Sequence, residues 1–206
     1  MLHGVNAFDG ITKYDLLNIQ DAFNKSEIPV YNLERVVACL STRFDIKELH
    51  KLIAVRAIDV QIAKIYLEMS ESILISKLQF RHNSALIRFT VFNNYAEDCK
   101  RCFPFWEEDI FRSYDRGIII DSIVAVERGD GLVALQNFVK EFNCEIFLEA
   151  GYLFRGDYDR YYDGDENMRN LPEKLAGIYS KAGFTNVNDQ FGCEESIVMQ
   201  CKARDN

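Results

Sequence analysis

Apolar residues fall three and four apart through the first third of the chain, the spacing that gathers side chains on one face of an α-helix. In "TKYDLLNIQDAF", Leu16, Ile19 and Phe23 share such a face, with Thr12 as N-cap and Asp15 three residues on. "NLERVVACL" repeats the logic: Asn32 caps, and Leu33, Val36, Val37 and Leu40 align. "DIKELHKLIAVRAIDVQIAKIYLEM" opens on a cap signal, Asp45 with Glu48. It carries Leu49, Ile53, Ile58, Ile62, Ile65, Tyr66 and Met69 as one broad stripe. Residues 1–70 are therefore predicted to be helical and packed on a core.

The period then changes. "SILISKLQF" and "ALIRFTVF" are rich in β-branched and aromatic residues with rough alternation, and "RHNS" between them reads as a hairpin turn. Pro104 interrupts "NNYAEDCKRCFPFWEEDIFRSYDRG". Phe103, Phe105, Trp106 and Phe111 cluster there as a core flap, a wall of an acceptor pocket or a subunit contact, and the residues do not rank these. "GIIIDSIVAV" predicts a strand, "LVALQNFVKEF" a helix, and "CEIFLEA" a further strand. "LPEKLAGIYSKA" predicts a helix with Asn170 as cap, Pro172 in its first turn, Glu173 at the capping-box position and Gly183 as stop. "FTNV" and "ESIVMQC" close the chain as short strands. Without a repeat or an obvious linker, residues 1–206 predict one domain of α/β (α+β) class. A helical portion at 1–70 precedes a mixed central sheet, and 117–206 form an α/β unit.

Composition removes some functions. A net charge of −8 works against non-specific binding to nucleic acid or acidic membranes, both of which use clustered Lys and Arg. The longest apolar run, "GIIIDSIVAV", falls far short of the ~20 residues a membrane span needs, and "MLHGVNAFDG" does not resemble a secretion signal. A soluble, cytoplasmic protein is expected. Six cysteines spread along the chain suit free thiols in a reducing compartment. Cys99 and Cys102 form a lone C-x-x-C without two further ligands at suitable spacing, so no metal site is expected.

Two glycines mark the handover from strand to helix in "SIVAVERGDGLVALQNF". A helix leaves its first N–H groups unpaired and carries positive potential there, and glycine lets a phosphate approach the bare backbone. Gly129 and Gly131 meet that requirement, but the turn lacks the P-loop ending and the full G-x-G-x-x-G.

Joined to "LAGIYSKAGFTNV" by one strand, this turn resembles the GNAT superfamily of acyl-coenzyme A-dependent N-acyltransferases. Arg128, Gly129 and Gly131 match that family's R-G-x-G-x-G/A loop, and Tyr179, Lys181, Gly183 and Phe184 match its Y-x-K-x-G-F signature. The match covers about the C-terminal two-fifths of the chain. The resemblance implies acetyl-coenzyme A as co-substrate, held along Val124, Val126, Arg128, Gly129, Asp130, Gly131, Leu132 and Val133. It makes Tyr179 the acid that protonates the departing thiolate. Three departures stand out: Val133 replaces the last Gly or Ala, Asp130 puts a negative charge in the loop, and "VAVERG" lacks the usual proline.

The chemistry so implied is transfer of an acetyl group to a primary amine of a small molecule, peptide or protein. An amine attacks only when neutral, so a base must take its proton. Glu127, Asp121 and Glu149 are the candidates; Glu149 ranks first because it ends the strand that should splay from its neighbour. The acidic, tyrosine-rich "RGDYDRYYDGDENMRN" would flank the acceptor side and suits a cationic amine, although a plain solvated loop explains it as well. A second copy of the chain is a candidate partner. The alternatives are a catalytically inactive GNAT-fold binding module, and a helical interaction protein with an unrelated α/β tail.

Overall fold

A computed structural model describes residues 13–28, 33–94, 105–151, 170–191 and 196–204. The caps at Thr12 and Asn32, the Cys99–Cys102 pair and all but the last residue of the tyrosine-rich stretch at 155–170 lie outside them. Among the described residues, four helices come first: α1 (Lys13–Lys25), α2 (Leu33–Ser41), α3 (Ile46–Ala54) and α4 (Asp59–Glu68). The hairpin β1 (Ile73–His82) and β2 (Ala85–Asn93) follows, then α5 (Phe105–Ser113). Next come β3 (Arg116–Ala125), α6 (Asp130–Glu141) and β4 (Ile146–Ala150). The chain ends with α7 (Leu171–Tyr179) and a 3₁₀ turn (Ser180–Ala182), then β5 (Thr185–Asn186), α8 (Asn188–Phe191) and β6 (Ile197–Cys201). No helix of the described residues is long and apolar enough to cross a membrane.

The strands form one sheet in the order β1-β2-β3-β4-β6-β5, parallel only between β3 and β4 and antiparallel elsewhere. That single parallel pair follows from α6, whose length carries the chain back to start β4 beside β3. The alternation in the strands sends Ile87, Phe89, Val91, Ile118, Ile120, Ile146 and Leu148 to one face, into a core shared with α1–α4 and α6. On the other face Phe92, Ile119, Phe147 and Val198 pack with Ile110 and Phe111 of α5 and Phe191 of α8. Phe138 of α6 meets Phe80, Phe89 and Phe142 at ring centroid distances of 5.4, 4.9 and 5.0 Å. Truncating such a residue to alanine costs about 3–5 kcal/mol.

The segment expected to be one long helix from Asp45 to Met69 is two. Asp45 caps α3 as read, its Oδ1 accepting from Glu48 N–H at 2.8 Å. The helix stops at Ala54, and Arg56 turns left-handed (φ 58°) before α4 begins. The sequence carries the reason: Ile53 to Ile58 is a step of five, which drops the apolar stripe out of helical phase. The break also lets Asp59, wholly buried, accept the Gln79 amide of β1 at 2.7 Å and face the Arg56 guanidinium at 3.5 Å. The Asn170 side chain makes no capping bond to α7, whose first turn instead relies on Pro172. Gly183 does stop that helix, at φ 96°, with Phe184 N–H reaching back to Tyr179 O at 3.4 Å.

Candidate functional site

Around the glycine turn, the backbone does two different things at the two glycines. Gly129 is left-handed (φ 97°) and caps α6 from open space, with nothing within 4 Å of where a Cβ would stand. Gly131 lies inside the helix against β3, its missing Cβ 3.6 Å from Ala125 Cβ and Ile123 Cγ2. Several amides at this mouth already have partners: Asp130 N–H donates to Glu127 O at 3.3 Å, and Leu132 and Val133 donate to Gly129 O at 3.1 and 3.2 Å. The amides of Gly129 and Gly131 take no part in those bonds.

The charge that Asp130 brings to the loop is directed away from it. Asp130 Oδ2 accepts from Ser84 N–H at 3.1 Å and Ser84 Oγ at 2.7 Å, in the β1–β2 turn, and these bonds hold its carboxyl below the usual range. Ser84 Oγ in turn accepts from Glu127 N–H at 2.9 Å, so hairpin and loop are tied together. Beside the turn, Val124 (49% exposed), Val126 (83%) and Val133 (40%) leave apolar surface in water. Arg128 is exposed as well.

Further back along β3 the ladder changes twice. Arg88 of β2 faces Ser122, but Phe89 faces Ile120, so Asp121 is an extra residue bulged out of β3. In the same place the parallel pairing ends: Ile118, Ile119 and Ile120 pair with Ile146, Phe147 and Leu148, and no rung follows. β3 and β4 both run on, so their ends part. A cavity of about 250 Å³ occupies the gap, lined by Asp121, Ser122 and Glu149 from the strands, by Gly151 just after β4 and by Leu175 and Tyr179 from α7. Asp121 also lines a second cavity of about 460 Å³ on the α5 side of the sheet, together with Thr90, Glu107, Lys77 and Arg88. A third cavity, about 330 Å³ between α4 and β1, contains none of the predicted site residues.

The titratable groups here are displaced from their ordinary values. Burial pushes the Glu107 carboxyl up to about 7, and the neighbouring Asp121 and Glu149 charges push the same way. Asp121 keeps part of its surface in solvent, but its carboxylate sits in the concavity, and this partial burial lifts it to about 6 although Thr90 Oγ1 donates to it at 3.1 Å. The Tyr179 phenol is pushed up by burial, which keeps it protonated. Glu149 accepts a short hydrogen bond from the Ser196 hydroxyl.

Two of the residues expected to act together, Tyr179 and Glu149, therefore line one cavity, and the candidate base Asp121 joins them. Glu127 lines neither cavity of this site; it is exposed at the hairpin end of β3. Glu107 escapes sequence reasoning altogether. It stands in the first turn of α5, directly after the aromatic run at 103–106, where an acidic residue is explained well enough by the helix dipole. Among the described residues no group of His, Cys, Asp and Glu is arranged to hold a metal ion. No family model, curated protein or solved structure matches the chain, so what the site does is inferred from its own atoms.

Proposed function

We propose that the chain is an N-acyltransferase that moves an acetyl group from acetyl-coenzyme A to a primary amine. The observation that carries this reading is the parting of β3 and β4 just beyond Ile120 and Leu148, where the Tyr179 phenol and the raised Asp121 carboxyl line one cavity and Glu107, raised further, lines the next. The gap also lies on the same strand as the glycine turn, so one extended molecule can reach both.

The residues fit the co-substrate as follows. The Gly129 and Gly131 amides and the positive end of α6 would hold the diphosphate, and Val124, Val126 and Val133 offer apolar surface along the path to the gap. With Asp130 tied to Ser84, its charge is spent on the hairpin rather than on the phosphates. Acetyl-coenzyme A supplies an acyl thioester whose carbonyl carbon is open to attack.

The chain's own groups handle the protons. Glu107 or Asp121, ionised above about pH 7 and 6, takes a proton from the acceptor ammonium and frees the nitrogen lone pair. A new C–N bond would then form as the C–S bond breaks, with Tyr179 O–H giving its proton to the sulfur and the second proton shed by the nitrogen restoring the phenol. β3 and β4 amides that face the gap beyond the last rung would polarise the carbonyl. Glu149, fixed by Ser196, adds negative charge that favours a cationic acceptor nitrogen. Cys39, Cys144 and Cys201 are free thiols, in keeping with a cytoplasmic enzyme.

The first test is a thermal shift with acetyl-coenzyme A. A ligand at one hundred times its Kd adds about 2.7 kcal/mol, so a clear rise in Tm is expected, and no rise at millimolar concentration rejects the reading. A catalytically inactive binding module is the second reading, favoured by the three loop amides already bonded within the turn and by Val133. Coenzyme binding without transfer to any amine of a broad panel selects it.

A further inference from the structure

Five described residues other than glycine have a positive φ. Two are Asn83 and Asn94, a residue type that tolerates this conformation. The other three are Glu27 (54°), Arg56 (58°) and Lys77 (67°), and all three line the 460 Å³ cavity. Glu27 and Arg56 each end a helix. Ile28 N–H reaches Phe23 O at 3.2 Å and Ala57 N–H reaches Leu52 O at 3.0 Å, the closing pattern that usually selects glycine. Lys77 lies in a bulge of β1, where Ser76 and Lys77 together face only Thr90. At three places where glycine or asparagine fits the backbone best, the chain has a long charged side chain, and the three share one cavity. Backbone strain of this kind collects where a side chain is needed for a task.

The charges in that cavity are mixed, acidic at Glu27, Glu107 and Asp121 and basic at Arg56, Lys77 and Arg88. Glu107 and Asp121 stand at the β3 end, and Asp121 is common to this cavity and the gap beside Tyr179. Thr90 on β2 is next across the sheet, and Lys77 on β1 lies beyond it, two strand spacings or about 10 Å from β3. Arg88 lines the cavity from β2. Arg56 is braced by Asp59 at 3.5 Å. Resting on the acyltransferase reading, we propose that this cavity selects the acceptor: an amine that carries a carboxylate several bonds away. Its nitrogen lies at Asp121 and Glu107, facing the gap, and its carboxylate lies at Lys77, with Arg88 on the strand between adding positive charge. A cavity of this volume suits a small molecule or the end of a peptide.

The test is calorimetric titration of the full chain with 6-aminohexanoate, 6-aminohexanamide and 1,6-diaminohexane, which share the amine and differ only at the far end. The amino acid is expected to bind about tenfold tighter than the other two, the factor that one charge-assisted hydrogen bond supplies. The K77E/R88E variant is expected to reverse the order in favour of the diamine, a gain that an unfolded chain cannot show. If that variant fails to fold, Arg88→Gln alone must still weaken 6-aminohexanoate more than 6-aminohexanamide. Equal binding of the three compounds by the unaltered chain, or an unchanged order in K77E/R88E, overturns the inference. Titration with acetyl-coenzyme A separates the two ideas. Coenzyme binding with no preference for the carboxylate leaves the acyltransferase reading and removes this one. Preference for the carboxylate without coenzyme binding does the reverse.

Discussion

The glycine turn and the gap between β3 and β4 lie on one strand, yet they carry information of opposite kinds. The turn is conspicuous in the sequence and modest in chemistry: backbone amides, several already bonded, and one carboxylate tied to Ser84. The gap leaves no motif in β3, yet it gathers Asp121, Glu149, Tyr179 and, from the neighbouring cavity, Glu107. A phosphate needs only donors and room, which a short local pattern can specify. Moving a proton needs groups from distant elements brought into one concavity, and no local pattern encodes that.

On the proposed acyltransferase reading, removing the carboxylates at and beside the gap should do the most damage. The double variant Glu107→Gln with Asp121→Asn is expected to lower kcat/KM by about 10²–10⁴-fold while acetyl-coenzyme A still binds, the range for lost general-base catalysis. Equal loss of coenzyme binding would place those carboxylates in the wrong region. Tyr179→Phe should reduce kcat by roughly 10²-fold with little change in coenzyme affinity, measured by single-turnover transfer.

The pH dependence has a definite sign. Activity should rise with pH through 6 to 7 as Asp121 and Glu107 ionise. Stability should move the other way. A carboxyl whose folded value is raised stabilises the fold at low pH and loses that contribution as pH rises through the raised value. Glu107→Gln should therefore melt higher than the unaltered chain at pH 8, by about 2–4 °C per kcal/mol recovered, with the difference gone below the ordinary value of 4.5. A variant that melts lower at pH 8 would show that Glu107 is not buried as described.

The smallest effects divide the turn itself. Gly129→Ala must place a Cβ on a left-handed residue and should cost about 1 kcal/mol. Gly131→Ala meets only ordinary contacts in a helix and should gain up to about 0.5–1 kcal/mol. If Gly131 nevertheless loses coenzyme affinity on becoming alanine, its bareness serves the ligand and not the fold.

What the sequence reveals follows the range of the interaction. Helices with an unbroken stripe, such as the one at Asp130–Glu141, are legible because their period is local. The interruption at 55–58 was visible only as one step of five, easily absorbed into a broad stripe. Tyr179 is legible through a resemblance and Glu149 through a strand end, and the fold brings them to one cavity. Glu107 could not be found that way, since its surroundings come from β3 and β4. The bulge at Asp121 depends on the register with β2, which no reading of β3 alone supplies.

The three rungs between Ile118–Ile120 and Ile146–Leu148 have a mechanical consequence. They make the sheet two antiparallel ribbons, β1-β2-β3 and β4-β6-β5, basted together by a seam far shorter than the stitching within the first ribbon. Loosening should start at that seam, where few bonds hold. Deuterium uptake should then reach the amides of Ile146–Leu148 before those of Phe89–Phe92, and a bound molecule spanning both ribbons should slow it by acting as a fourth stitch.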